Sequence, residues 1–182
     1  MKKNMVFVHL SVLSILLVVA TIVIPAAFAN EKEAQVKANI INTKGEGIGT
    51  VVITQKADGV KLHIEAKNLT PGEHGVHFHE NGKCEAPDFK SAGAHLNPEL
   101  KQHGFNNPKG YHAGDLENIH VKEDGTVSAD LESTSVTLTK GVSNSLLRPG
   151  GTSLIIHEKA DDYVTDPSGN SGDRIACAVI QE

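Results

Sequence analysis

The run Gly47-Ile-Gly-Thr-Val-Val-Ile-Thr-Gln-Lys-Ala-Asp-Gly-Val-Lys-Leu-His-Ile-Glu-Ala-Lys67 decides the fold class. Residues 47–55 and 60–67 alternate or carry β-branched side chains, the pattern of half-buried strands. Ala57-Asp58-Gly59 between them is a tight hairpin signal. Working outward, residues 35–42, 75–80, 118–122, 126–132, 153–157 and 175–180 repeat the pattern, with Glu123-Asp124-Gly125 joining 118–122 to 126–132. Eight strands at this spacing predict an all-β, antiparallel sandwich or closed barrel. The chain has no Trp, only 4% aromatic residues and no long helical period. No repeat, low-complexity tract or second domain interrupts it.

Two stretches refuse the pattern. Residues 81–115 are rich in Gly, Pro, Asn and His, and residues 158–173 carry four Asp and Pro167. Loops this long inside a compact domain are usually functional.

The first segment reads as an address. Lys2, Lys3 and Asn4 precede an apolar run over residues 5–24, Pro25 stops it, and Ala27-Phe28-Ala29 has the small-x-small form of a cleavage site. Residues 1–29 are therefore expected to be a signal peptide and 30–182 the working domain. The competing reading is a retained membrane tether through residues 5–24, a run long enough to span a bilayer. Either way the domain is exported, to an extracellular, periplasmic or cell-envelope location. Loss of the two leader lysines takes the net charge from −5 to −7, which argues against nucleic acid and anionic membrane as partners. Cys84 and Cys177 are the only cysteines. In an oxidising compartment an even pair predicts a disulfide, with two free buried thiols as the alternative.

Nine of the ten histidines lie beyond the leader. His77 and His79 stand at i and i+2 on a predicted strand, so both project to one face; alone, His-x-His is weak support for a metal. His95, His103 and His112 follow on the first long loop with Asp115 three residues later, a three-imidazole, one-carboxylate set suited to zinc. His157 ends a strand just before the second loop. An all-histidine site without thiolate suits copper. Packing does not account for so many histidines, since each buried one needs a partner.

These residues resemble a known family. Gly75-Val-His-Phe-His-Glu80 looks like the copper-ligand strand of copper/zinc superoxide dismutases. Ser91-Ala-Gly-Ala-His-Leu-Asn-Pro98, Lys101-Gln-His-Gly104 and His112-Ala-Gly-Asp115 are similar to its bridging-histidine segment and zinc loop. Ile155-Ile-His-Glu-Lys-Ala-Asp-Asp162 and Gly169-Asn-Ser-Gly-Asp-Arg-Ile-Ala-Cys-Ala-Val-Ile180 match its last copper ligand and its C-terminal signature. The resemblance covers nearly all of the exported chain, in order.

The resemblance implies an eight-stranded Greek-key barrel with two long functional loops, dismutating superoxide anion. It implies a copper ion on His77, His79, His95 and His157, and a zinc ion on His95, His103, His112 and Asp115, with His95 bridging the two. It implies a Cys84–Cys177 disulfide, Arg174 over the open copper face, and Asp161 behind the ligands, linking a copper-ligand histidine to a zinc-ligand histidine. His95 and Arg174 are the residues it assigns to catalysis. A homodimer stays open, since relatives dimerise through different faces and some are monomers. His74 matches a structural family histidine; His63 and His120 have no family role and are expected at or near the surface.

The chain also departs from the animal members. Residues 79–84 are short and 84–95 long, as in bacterial members, and the loop from 157 to 174 is short and acidic, with Asp162, Asp166 and Asp173. Lys159 is its one basic residue before Arg174, so the lysines that steer superoxide in animal enzymes have no clear counterpart. Some bacterial relatives have lost copper ligands and activity, whereas this chain keeps all four. The alternatives are a catalytically weak, dismutase-like protein that binds and stores copper at the cell surface, or a purely structural zinc domain. The latter would not need His77, His79 and His157 to converge.

Overall fold

The computed structural model describes residues 33–182. The expected leader, and the tether read over 5–24, lie outside the described residues. Among the described residues no helix is long and apolar enough to cross a membrane.

Nine strands follow in chain order: β1 Gln35–Asn42, β2 Gly47–Lys56, β3 Gly59–Ala66, β4 Gly72–His74, β5 Val76–His79, β6 Ile119–Val121, β7 Val127–Ser133, β8 Thr152–His157 and β9 Arg174–Ile180. All pairs are antiparallel, in a seven-stranded sheet ordered β5-β8-β9-β1-β2-β3-β7 and a two-stranded ladder of β4 with β6. The eight expected strands are all present. The ninth, β4, lies just before the expected 75–80 strand, and Gly75 separates the two.

The opening hairpin shows how the sequence sets the register. Val51 faces Ile64 and Ile53 faces Leu62 across the β2–β3 ladder, and all four are fully buried. A one-residue slip would turn that entire set to solvent. Eight of the nine strands send side chains into one apolar core, from Ile40 and Ile53 through Phe78 and Val121 to Leu154 and Ala178. Such a shared core requires the sheet to curl on itself. Burying one Leu or Phe side chain contributes about 1.5–3 kcal/mol, so this core carries the fold.

A second, smaller apolar cluster forms on the other face of β8 and β9. Strand alternation sends Ile155 and Cys177 outward, where Phe89, Ala92 and half-buried Ile41 and Cys84 cover them. Phe89 and Ala92 belong to the segment around a single 3-10 turn, Lys90–Ala92, in the first long loop. Cys84 and Cys177 are joined in a disulfide across 93 residues of sequence, which fastens that loop to β9. Closing so long a loop restricts the unfolded chain strongly. The double variant Cys84→Ala/Cys177→Ala is expected to lose about 4 kcal/mol of stability, read from urea unfolding under non-reducing conditions.

Candidate metal centre

The same alternation that builds the core also builds the site. On β5, Val76 and Phe78 enter the barrel, so His77 and His79 face outward. His157 ends β8 after a register shift at Ile156/His157, and its N–H donates to Gly75 O at 2.9 Å. The first loop then folds back over β5. Leu96 N–H donates to Phe78 O, Phe78 N–H to Gly114 O and Gly114 N–H to Leu96 O, each at 2.8 Å. Fully buried Leu96 anchors this crossing, which sets His95 beside His79 and Asp115 beside His77 as isolated bridges.

His77, His79, His95 and His157 are buried, and their ligand nitrogens lie within 4.8 Å of one another. Four of these nitrogens, His77 Nδ1 and the Nε2 atoms of His79, His95 and His157, are buried without a hydrogen-bond partner. The opposite nitrogen is engaged in each ring. His77 Nε2 meets Asp161 Oδ2 at 2.7 Å, His79 Nδ1 meets Gly93 O at 3.0 Å and His157 Nδ1 meets Gly172 O at 3.2 Å. Carbonyl and carboxylate oxygens accept, so these bonds place the proton on the engaged nitrogen and leave a bare lone pair aimed at the centre. Burial holds His77 and His157 down to about 4 and His95 to about 3, and depresses His79 strongly as well. Neutral imidazoles are what a metal requires. Four converging lone pairs without a donor fit a soft-to-borderline cation with nitrogen preference, such as copper.

Next to this set lies a second. Asp115 Oδ1 is 3.0 Å from His95 Nδ1, 3.1 Å from His103 Nδ1 and 3.4 Å from His112 Nδ1, and His112 Nδ1 is 3.3 Å from His95 Nδ1. Ligands about 2.0–2.1 Å from a tetrahedral zinc ion stand about 3.3–3.4 Å apart, so these separations fit zinc. His77 also lies within reach of His95, His103 and Asp115. Its Nε2 is committed to Asp161, however, and its Nδ1 faces the first set, whereas His112 Nδ1 stands free of both beside Asp115 and His95. Burial pushes the Asp115 carboxyl up, but bonds from His103, His112, His95 and Gly104 N–H outweigh it and hold the group well below the carboxylate range. Burial lowers His103, yet Asp115 and Asp161 outweigh that and raise it to about 9. His95 turns its Nε2 to the first set and its Nδ1 to the second.

Asp161 sits behind both sets, with Oδ1 3.0 Å from His103 Nε2 and Oδ2 2.7 Å from His77 Nε2. Several residues not singled out from sequence hold it there. Asn118 accepts from Asp161 N–H at 2.8 Å and donates to Asp161 O at 2.9 Å, and its own N–H donates to the Tyr163 hydroxyl at 2.8 Å. Gly169, at φ 64°, leaves no room for a Cβ, which would collide with Asp161 Oδ1. Asp166 accepts from His103 N–H at 2.7 Å, tying the second loop to the first.

Arg174 begins β9 and reaches across to the disulfide-fastened segment, donating to Phe89 O at 2.8 Å and Gly93 O at 2.7 Å. Gly93 O therefore serves both Arg174 and His79. A cleft of about 650 Å³ opens between the loops, with His79, His95, His112, His157 and Arg174 in its wall. A groove of about 690 Å³ along β2, β3 and β7 contains none of these groups, so chemistry belongs to the smaller cleft. Of the remaining histidines, His74 is buried between His157 O and Thr70 O, at 2.7 and 2.8 Å. His63 is half-buried and His120 exposed, and they face Asp130 and Glu73.

Comparison with known proteins places this geometry. The family profile described as copper/zinc superoxide dismutase (SODC) matches residues 48–180. Superoxide dismutase [Cu-Zn] 1 of Aquifex aeolicus is 49% identical over 156 residues, 85% of this chain and 92% of that protein. A crystal structure of a double mutant of a SOD-like protein from Bacillus subtilis superposes with a TM-score of 0.78 at 46% identity, covering 80% of this chain and 97% of that one. Cu/Zn superoxide dismutase from Brucella abortus gives a TM-score of 0.65 at 28% identity over 81% of this chain and 99% of that one.

The shifted groups set the pH dependence of the metal-free protein. His77, His95 and His157 have folded values below their unfolded value of 6.5. The unfolded chain therefore binds more protons between about 6.5 and 4, and stability falls as the pH drops through that window. His103, raised to about 9, contributes stability that is complete below 6.5 and lost as the pH rises through 9. Thermal melts of chelator-stripped protein are expected to peak near neutrality and decline on both sides. A melting temperature that stays level from pH 6.5 to 4 would contradict this assignment.

Proposed function

Because the chain belongs to the copper/zinc superoxide dismutase family, we propose that His77, His79, His95 and His157 hold copper and that His95, His103, His112 and Asp115 hold zinc. The activity is that of the family: two superoxide anions and two protons give dioxygen and hydrogen peroxide. The four unpartnered buried nitrogens carry the copper assignment. Bound copper supplies reversible one-electron chemistry, and zinc supplies a fixed, redox-inert charge.

The chain's own residues do the rest. His95, lining the cleft with a nitrogen in each set, holds the two sites at a fixed spacing. Its Nε2, buried without a partner and facing the first set, would be the atom placed to hold a proton for the substrate. Asp161 fixes the ring orientations of His77 and His103 through their Nε2 atoms. Arg174, immobilised by two carbonyls, presents a guanidinium to the anionic substrate at the wall of the cleft. The Cys84–Cys177 disulfide supports an oxidising compartment, in keeping with the exported domain read from sequence. The copper-storage alternative is not favoured: storage has no use for an arginine fixed beside the site, and three relatives at 49, 46 and 44% identity are named Cu-Zn superoxide dismutases, against one at 46% named as dismutase-like.

The variant His157→Ala is expected to lose superoxide turnover to background while keeping its zinc, read by metal analysis after dialysis and by superoxide decay. Retained turnover would remove His157 from the copper set. Arg174→Ala is expected to slow the reaction about tenfold and to flatten its dependence on ionic strength. An unchanged rate profile would place the substrate path elsewhere.

A further inference from the structure

Arg174 is held by backbone, not by an opposite charge. Its guanidinium donates to Phe89 O at 2.8 Å and Gly93 O at 2.7 Å, and among the described residues no carboxylate bonds to it. A guanidinium is placed only as firmly as the acceptors its fork engages. Whatever places these two carbonyls therefore places the arginine. Both belong to one turn: Phe89 O also accepts Ala92 N–H at 3.0 Å, and Gly93 N–H donates to Lys90 O at 3.0 Å.

Two anchors could set that turn. The covalent one, Cys84, stands five residues before Phe89, and residues 85–88 between them are all exposed. Phe89 N–H donates to Glu85 O at 3.0 Å and Glu85 N–H to Ser91 Oγ at 2.9 Å; Glu85 is exposed, so water competes for both bonds. The apolar anchor is Phe89 itself, fully buried between exposed Asp88 and Lys90. Its ring packs with Ala92 on Ile155 and Cys177. Ile155 stands two residues before His157 on β8, and Cys177 three residues after Arg174 on β9, where His157 and Arg174 face each other. Phe89 takes φ 52° and ψ 22°, a left-handed conformation that a bulky residue keeps only where its surroundings impose it.

We propose that Phe89 is the positioning residue for Arg174: its ring, seated on β8 and β9, aims the carbonyls that grip the guanidinium, while the Cys84–Cys177 disulfide stabilises the loop without setting that aim. The proposal rests on the dismutase reading for the identity of the anion that Arg174 meets. Phe89 touches no reacting atom and acts through Arg174 alone.

The test uses the copper- and zinc-loaded protein, with azide as the anionic probe in absorption titrations beside the second-order rate of superoxide loss. Any side chain at position 89 meets the same left-handed backbone, so truncation isolates the ring. Phe89→Ala is expected to weaken azide binding about three- to fivefold and to slow superoxide loss by a similar factor, with Phe89→Leu intermediate at about twofold. In an Arg174→Ala background neither change at Phe89 is expected to have a further effect, since the two residues act as one unit. Leu62→Ala, fully buried in the barrel core, is expected to lower the melting temperature and leave azide affinity at the parent value. Cys84→Ala/Cys177→Ala is expected to weaken azide by less than half as much as Phe89→Ala. Losses at Phe89 that persist without Arg174, or that Leu62→Ala or the cysteine variant matches, would overturn the proposal. Should Phe89→Ala not fold, Phe89→Leu in both Arg174 backgrounds decides the same point. If the parent consumes no superoxide while azide affinity still depends on Phe89 through Arg174, the dismutase reading fails and the positioning role stands. Normal superoxide loss, with rate and azide affinity indifferent to Phe89, removes the positioning role alone.

Discussion

Four imidazole nitrogens converge where solvent does not reach, and none has a donor to meet it. Leaving a buried polar group unpaired costs roughly 1–3 kcal/mol, so four together approach the net stability of an ordinary domain, about 5–15 kcal/mol. The barrel core must supply enough stability to hold this arrangement open, and a cation removes the cost when it binds. Metal affinity and fold stability are thereby coupled through the same lone pairs. The depressed values of His77, His95 and His157 express the same constraint, because burial that makes protonation costly also keeps the lone pairs available.

The scaffold divides the work between stiff and adaptable parts. Strands β5 and β8 supply His77, His79 and His157 from adjacent, hydrogen-bonded positions. The first loop supplies everything else and has no ladder of its own, so it is tied at several points. Leu96 and Gly114 bond it to β5, Asp166 bonds it to the second loop, and the disulfide bonds it to β9. Asp161 then links the two proposed sites through single imidazoles, and Asn118 with Tyr163 fixes Asp161. The Gly93 carbonyl joins a proposed ligand to the proposed substrate arginine at one oxygen. Movement of the disulfide-fastened segment would thus disturb His79 and Arg174 together.

Much of this was legible in the sequence because period-two alternation is a local signal. Val51, Ile53, Leu62 and Ile64 announce their strands within twenty residues, and their pairing follows from the hairpin turn. Short β4 was not legible, since three residues that begin at Gly72 and stop before Gly75 carry no period. The eleven candidate site residues all lie among the described residues and gather at one cleft and its supports. No pairwise spacing predicted that gathering: His77 with His79 is weak alone, and it was the order of all seven proposed ligands that carried weight. Asn118 and Tyr163 gave no sequence signal, and Asp166 was read only as part of an acidic loop. Asn118 meets Asp161 across 43 residues and Asp166 meets His103 across 63, and the carbonyls of Gly93, Phe89 and Gly172 act through atoms every residue possesses.

Charge is where local geometry outranks composition. An acidic chain would be expected to repel superoxide, yet at physiological salt the Debye length is about 8 Å. Charges farther from the substrate's path than this contribute little, so most of the acidic surface is hidden from an anion already at the cleft. There the balance is set by a few groups: Arg174 and Lys101 against Glu80 and Asp166. Asp166 is not free to be dispensed with, because it accepts the His103 N–H that ties the loops together. Glu80 is held likewise, accepting the Ala94 N–H beside the proposed bridging histidine. Both anions at the mouth thus have structural duties that compete with substrate attraction.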